Sequence, residues 1–165
     1  GFKGGDPSSY MHSNGATGMA ILRRDGFASM STTGEGSLTT RPVTFTGKYL
    51  FVNVDCPSGE LKVEILDKNN KVIDDLSADK CKAVSIDSTI QQIEWNGSSD
   101  LSSLVGQEVK FRFKLKNGDL YAFWVSPSTN GESNGYVAGG GPGYISNKDT
   151  EGKKAYEQAS GLQKF

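Results

Sequence analysis

The sequence contains few of the residues from which metal sites are built. Among 165 residues there is one histidine, His12, and there are two cysteines, Cys56 and Cys81. One histidine and two cysteines without a CxxC spacing do not supply the four ligands of a structural zinc site. Three aspartates occur in segment 74–80, but without the alternation of a calcium-binding loop. We therefore expect no metal and no cofactor.

The two cysteines are also too few to form a disulfide framework. A bond between Cys56 and Cys81 would close a loop of about 25 residues and contribute about 3 kcal/mol by restricting the unfolded chain. Two free thiols are the other possibility. The sequence does not decide between them.

An excess of charge of one sign is missing as well. There are 18 lysines and arginines against 19 acidic residues, which gives a net charge of -1. Such a balance gives no basic footprint for nucleic acid or an anionic membrane. No apolar run approaches the roughly 20 residues that a membrane-spanning helix needs. We expect neither nucleic acid nor a membrane span. The start, GFKGGDPSSY, has neither an initiator methionine nor a signal peptide, so we expect a piece of a longer protein.

Motifs of common enzyme chemistry are missing too. No GxSxG elbow is present, and the glycine-rich stretch 139–143 has no Lys-Ser/Thr ending to bind phosphate. A glycosidase needs two carboxylates at a defined separation, but the aspartates lie at strand ends and turns, where their backbone hydrogen bonding explains them. We expect no catalytic residue and no enzyme activity of this chain on its own.

Glycine and alternating hydrophobicity, in contrast, are abundant. There are 21 glycines, about 13% of the chain against an average of about 7%. Residues 108–116 alternate between apolar and charged side chains, Asn117 and Gly118 follow, and residues 119–126 alternate again. Asn-Gly is the preferred pair of a two-residue hairpin turn, so this pattern predicts a hairpin.

A second hairpin is predicted from residues 48–55 and 60–67, which alternate in the same way around the loop CPSG. Residues 89–95 predict a further strand. A short helical turn is expected within 100–107 because Asp100 is a favourable N-cap residue.

These patterns predict an all-β fold. About eight or nine short strands with one-sided alternation are typical of an antiparallel β-sandwich, here with a jelly-roll-like layout. We divide the chain into a linker or domain start at residues 1–14, the sandwich at 15–126, and a glycine-rich C-terminal extension at 127–165 that could contain a short helix.

The charged stretch ILRRDGFASM, residues 21–30, predicts a third hairpin. With Asp25-Gly26 as its turn, Arg24 pairs with Phe27, and Arg23 lies at the rim of the core face with its charged head in water. The turn explains Asp25 but not the two arginines. Each could meet a neighbouring domain or a sugar hydroxyl, with Arg41 as a companion; we favour the interdomain contact.

Aromatic residues on the predicted strands have two interpretations. They could form a platform on which sugar rings stack, or they could fill the core or a domain interface, since each buries about 150–250 Å². We favour the core or interface. The residues concerned are Tyr49, Phe51, Trp95, Tyr121, Phe123 and Trp124.

Three stretches together resemble a known domain family. They are LRRDGFASM, GSLTTRPVTFTGKYLFVNVDCPSGELKVEILD and DLSSLVGQEVKFRFKLKNGDLYAFWV, between about residue 15 and residue 126. This succession is similar to the C-terminal β-sandwich of large bacterial glycoside hydrolases built on a five-bladed β-propeller, related in layout to glycoside hydrolase family 32. The residues after 126 match nothing in that family.

The resemblance implies an accessory role. In such proteins the propeller carries the catalytic carboxylates and the sandwich packs against its side. We therefore expect a non-catalytic domain of a secreted, periplasmic or cell-surface protein that handles extracellular glycans, with the upstream propeller of the same chain as its partner. The alternative is a carbohydrate-binding module that presents aromatic residues to a polysaccharide.

Overall fold

The computed structural model describes residue 18 and residues 22–137 and 143–162. These residues form one antiparallel sheet of five strands, so the all-β class is confirmed. The strands are β1 (Met30–Thr39), β2 (Tyr49–Asp55), β3 (Glu60–Leu66), β4 (Asp87–Gln92) and β5 (Lys110–Ser126). The described ranges also contain short helical turns at Asp74–Leu76 and Ser102–Leu104 and a helix, α1 (Lys153–Leu162). A second sheet is not seen in the described ranges, and the sandwich and its eight or nine strands stay predictions.

Strand β5 is the centre of the sheet and corrects the first predicted hairpin. It runs without a turn for 17 residues through Asn117 and Gly118. Asn117 has a φ of 45°, so the pair does adopt the left-handed backbone that its sequence favours. It does so at a bulge in the neighbouring strand, where two residues of β1, Thr33 and Gly34, lie opposite Asn117, and β5 continues without reversing.

The second predicted hairpin is also wrong. Strands β2 and β3 both run antiparallel to β5: Tyr49 lies opposite Ser126, and Glu60 lies opposite Lys116. The two strands therefore follow one another along the same edge of β5 instead of pairing with each other. A Cβ atom on Gly59 would lie 1.9 Å from the Lys116 carbonyl oxygen, so a glycine is required where the chain passes this point of β5.

The predicted hairpin at Asp25-Gly26 is replaced by an isolated turn. The Gly26 N–H donates to the Arg23 carbonyl at 2.9 Å, which centres the turn on Arg24 and Asp25. Residues 22–29 belong to no strand, and β1 begins at Met30, which lies opposite Leu120 of β5. The predicted pairing of Arg24 with Phe27 is therefore wrong. The pairings that involve residues 19–21 lie outside the described residues.

The main core lies on one face of the sheet and follows the predicted alternation. The inward residues of β2, β3 and β5 are buried together with residues of the connecting loops; they include Leu50, Val52, Val54, Val63, Ile65, Phe111 and Phe113. Trp95, from the loop after β4, is 2% exposed and its Nε1 donates to the Val63 carbonyl at 3.0 Å. Burial of apolar surface at about 25 cal/mol per Å² is the main force that holds this layer.

Smaller elements agree with the sequence. A helical turn occurs at Ser102–Leu104, a helix lies in the predicted C-terminal position, and the strand expected at 89–95 is β4. Cys56 and Cys81 are both buried and free of a disulfide. Within the described ranges, no helix is long and apolar enough to cross a membrane.

Residues after β5 cover part of the opposite face of the sheet. Phe51 points to this face and is fully buried. A Cβ atom on Gly131 would lie 2.9 Å from the Phe51 ring, and the Lys153 ammonium lies 5.2 Å from the centre of that ring. The C-terminal segment therefore forms a second, smaller layer on the sheet.

Candidate functional site

The predicted site residues do not form one cluster. Arg23, Arg24 and Tyr121 come together at the end of the sheet where β1 begins. Arg41 is exposed beyond the other end of β1, which at about 3.4 Å per residue lies about 30 Å away. Phe123 belongs to the main core. The structure thus does not place Arg41 with the other two arginines.

Arg23 is held on the face opposite the main core. Its Nε donates to Asn53 Oδ1 at 2.6 Å, its Nη2 donates to the Val54 carbonyl at 3.0 Å, and its Nη1 bonds to Asp87. The guanidinium also lies 4.8 Å from the ring centre of Tyr121, a favourable cation–π distance. The side chain is 20% exposed, so its guanidinium is less exposed to solvent than the sequence predicted.

Arg24 is bound by the C-terminal segment of the same chain. Its Nη2 donates to Asp149 Oδ2 at 2.6 Å and its Nη1 to the Tyr144 hydroxyl at 2.6 Å. Its carbonyl oxygen accepts a hydrogen bond from Asn53 Nδ2. We call this set of residues, Arg23, Arg24, Asn53, Tyr144 and Asp149, the arginine junction. It joins β2, the turn before β1 and the C-terminal segment.

The Asp149 carboxylate has no exposed surface and is fully hydrogen bonded. Besides Arg24, it accepts the N–H of Ser133 at 3.0 Å and the N–H of Gly152 at 2.8 Å. Burial alone would raise the pKa of Asp149, but these three donors outweigh it and hold the pKa below its usual value. Such a carboxylate stays ionised and paired, and it would be a poor general acid or base near neutral pH.

The pKa values of Arg24 and of Tyr144, which is bonded to Arg24, are both raised. Burial alone would lower the pKa of Arg24, but its interactions with Asp149, Tyr156 and Tyr144 together outweigh burial and the pKa is raised. Burial raises the pKa of Tyr144 to about 12, although the nearby Arg24 acts against this shift. Arg24 and Asp149 therefore keep their opposite charges, and Tyr144 keeps its proton, over the whole physiological range.

Most of the aromatic residues predicted as a platform pack against other parts of the same chain. Phe51 and Trp124 stack with ring centres 5.7 Å apart and planes 16° from parallel. Trp124 Nε1 donates to the Gly131 carbonyl at 3.0 Å. Tyr49, Tyr121 and Trp124 keep part of their surface exposed, whereas Phe51 is buried beneath the C-terminal segment.

A groove lies on the outer face of β1, β5 and β3. Its volume is about 740 Å³ and charged side chains line most of it. Glu64, which is 4% exposed, lies beneath this surface and binds Arg112 at 2.8 Å and Lys114 at 3.1 Å. Burial alone would raise the pKa of Glu64, but the bonds from Lys114 and Arg112 lower it.

Sequence reasoning missed Asn53, Tyr144 and Asp149. Asn53 had a signal, because an amide in the middle of an apolar strand needs hydrogen-bond partners when it is buried. Asp149 had another, since an aspartate at the start of a predicted helix is a favourable N-cap residue, although α1 begins only at Lys153. Tyr144 had no signal that distinguished it from any other loop tyrosine.

No family model, no curated protein and no solved structure matches the chain. Among the described residues, no three histidine, cysteine, aspartate or glutamate side chains lie together as ligands for a metal ion.

Proposed function

We propose that the chain is a non-catalytic accessory module of a secreted or periplasmic glycoside hydrolase. In this proposal the sheet is one layer of a jelly-roll-like β-sandwich, and the module packs against an upstream catalytic β-propeller of the same protein and stabilises it. The proposal rests on the sequence resemblance and on the surface around the arginine junction.

The observation that carries the proposal is the contrast between a tightly bonded junction and the apolar side chains beside it. Phe27 follows the turn that carries Arg24, and it is 90% exposed. Ile145, next to Tyr144, is 77% exposed, and so is Tyr136. Large exposed apolar side chains on one part of a surface are typical of an interface with another domain.

The junction joins the two segments that carry Phe27 and Ile145, because Arg24 and Tyr144 are bonded to each other. An interface needs such rigidity, since ordering a loose loop on binding would cost conformational entropy. The charged groups at this site act as a scaffold in this proposal, not as reactants.

The proposal is tested in the longer protein that joins this chain to a propeller. Phe27→Asp and Ile145→Asp should lower its thermal unfolding midpoint but leave the midpoint of the isolated chain unchanged. Val105→Asp, at a residue 43% exposed in a loop that packs with the main core, is the control. Equal effects of Phe27→Asp in both proteins would contradict the proposal, and so would hydrolysis of a polysaccharide by the isolated chain.

The alternative function is carbohydrate binding. The partly exposed Trp124, stacked on Phe51, is the observation that favours it, because the exposed part of an indole can stack on a sugar ring. Isothermal titration with plant and host polysaccharides tests this alternative: binding that Trp124→Ala abolishes would support it. Binding that survives this substitution, or no binding, would contradict it.

A further inference from the structure

The outer groove carries a charge arrangement that the proposed function does not use. The pairing of β1 and β3 with β5 places the outward side chains in three rows that cross the groove. The first row is Glu35, Lys116 and Glu60, the second is Ser37, Lys114 and Lys62, and the third is Thr39, Arg112 and Glu64. The outer two rows each contain a carboxylate, but the middle row contains none.

The middle row places two like charges opposite each other. Lys62 of β3 lies directly across from Lys114 of β5, and side chains opposite each other in a sheet have Cβ atoms about 4.5–5.5 Å apart. Like charges in this position are destabilising. The third member of the row, Ser37, adds a hydroxyl that can donate a hydrogen bond.

The neighbouring carboxylates neutralise these two cations incompletely. Glu64 is shared, since it binds both Lys114 and Arg112. Lys62 lies 3.5 Å from Glu60, and both side chains are partly exposed. Across the three rows there are four cations and three carboxylates, a local surplus of positive charge in a chain with a net charge of -1. The middle of the groove is therefore the place where an anion would remove a repulsion.

We propose that the middle row is an oxyanion site, in which the ammonium groups of Lys62 and Lys114 and the hydroxyl of Ser37 bind a carboxylate or sulfate group of an acidic saccharide. A groove of about 740 Å³ is within the usual range of roughly 300–1,000 Å³ for small-molecule sites. It is large enough for the sugar rings on either side of the charged group.

The carboxylates of the outer rows favour a singly charged ligand over a densely charged polymer. Glu35 and Glu60 at one end repel a densely charged polymer such as nucleic acid, which carries a phosphate about every 3.4 Å along each strand. The same carboxylates accept hydrogen bonds from hydroxyl groups. A ligand with one oxyanion between neutral, hydroxylated rings satisfies the whole groove, and this is the chemistry of an acidic saccharide. The site does not depend on the proposed packing against a propeller.

The test is isothermal titration of the full chain at low salt with two acidic probes. One is a xylo-oligosaccharide with a glucuronic acid branch, and the other is a sulfated κ-carrageenan oligosaccharide. Their neutral counterparts are the unsubstituted xylo-oligosaccharide and the desulfated carrageenan oligosaccharide of the same length. We expect at least one acidic probe to bind about tenfold or more tightly than its neutral counterpart, because hydrogen bonds to charged groups are the strong ones. The affinity should fall as salt screens the charges.

Two substitutions locate the binding. Lys62→Gln removes one ammonium from the middle row without unpairing the buried Glu64, and we expect it to weaken binding by about fivefold or more. Lys80→Gln is the matched control, because Lys80 is in an exposed ion pair with Asp75 elsewhere on the surface. The thermal midpoint of each variant shows that it is folded.

Three results would overturn the proposal. They are no binding of either acidic probe, equal binding of the acidic and neutral probes, and equal loss of affinity in Lys62→Gln and Lys80→Gln. A preference for the glucuronic acid probe over the sulfated probe, or the reverse, would identify which oxyanion the site takes.

Discussion

Arg24 and Asp149 are 125 positions apart in the chain, and their side chains form an ion pair with Nη2 and Oδ2 at 2.6 Å. The pair joins the turn before β1 to the loop before α1, and so connects the N-terminal side of the sheet to the C-terminal segment. Because Asp149 has no exposed surface and Arg24 is only 18% exposed, neither charge can be solvated well without the other.

Asp149→Asn should therefore be strongly destabilising. The substitution removes the buried counter-charge of Arg24 and leaves only the exposed Asp25 carboxylate, 3.6 Å from Nε; breaking a buried pair costs about 3 kcal/mol of unfolding free energy. Chemical denaturation monitored by circular dichroism measures the change. Asp75→Asn is the matched control, since Asp75 pairs with Lys80 on the exposed surface; little change is expected there.

The double variant Arg24→Met, Asp149→Asn separates the contribution of the pair from the cost of breaking it. It contains no unpaired buried guanidinium, and the amide oxygen introduced at position 149 can still accept a backbone N–H of Ser133 or Gly152, so this variant should recover part of the stability that Asp149→Asn loses. If Asp149→Asn behaves like Asp75→Asn, the pair makes no special contribution and the junction is not a scaffold.

The same pair predicts a difference in acid stability. The pKa of Asp149 is below its usual value in the folded protein, whereas the pKa of an aspartate in an unfolded chain is about 3.9. A lowered folded-state pKa contributes stability that is complete above the unfolded-state pKa and is lost as the pH falls through the folded-state pKa.

We therefore expect the thermal midpoint of the parent chain to fall more steeply than that of Asp149→Asn below about pH 4. Glu64 and other paired carboxylates titrate in both proteins, so the difference between the two curves isolates Asp149. Parallel curves between pH 7 and the acid range would contradict the assignment of an ionised, paired Asp149.

The sequence predicted the faces of the strands but not their partners. Alternation depends only on the local pleat, and it correctly assigned Phe111 and Phe113 to the core. Pairing depends on whether the chain reverses, and Asn117-Gly118 fits a strand that continues opposite a bulge as well as a hairpin turn. No feature of the local sequence distinguishes a continuous strand from a hairpin at this position.

The arginine junction shows the same limit over a longer distance. The turn at Asp25 was correctly expected from local chemistry, although its centre is shifted by one residue. The partner of Arg24 is a carboxylate from a segment that the sequence suggested only as a glycine-rich extension. No periodicity connects two positions so far apart, so only the fold could identify Asp149.

Gly59→Ala tests the course of the chain past Asn117 of β5. A methyl group at this position would lie 1.9 Å from the Lys116 carbonyl oxygen and 2.2 Å from that of Asn117. Both are backbone atoms in a paired strand, so neither can move cheaply. We expect a loss of at least about 2 kcal/mol in unfolding free energy, at the upper part of the range for overpacking.

Gly34→Ala is the control for the glycine itself. Gly34 lies in β1, and no atom would come within 4 Å of an added methyl group. Its effect should stay within about 0.5 kcal/mol, as for other open surface positions. If both substitutions are tolerated equally, β2 and β3 do not pass β5 in the way described, and the hairpin interpretation regains support.

The two thiols predict a simple pattern of reactivity. Cys56 and Cys81 are free and buried, and burial raises the pKa of Cys81. Only the thiolate reacts, and only where a reagent reaches it. In the native protein a colourimetric disulfide reagent should therefore react slowly. In denaturant without any reductant, it should titrate both thiols of each chain at once.

Single variants assign the two signals. Cys56→Ser and Cys81→Ser should each leave one reactive thiol in denaturant, and since the Cys81 sulfur accepts the Val63 N–H at 3.3 Å, the serine variant at that position can keep the hydrogen bond. A native disulfide would give a different result: the denatured parent chain would show no reactive thiol until a reductant is added, and each single variant would show one thiol. That outcome would contradict the free state of both cysteines.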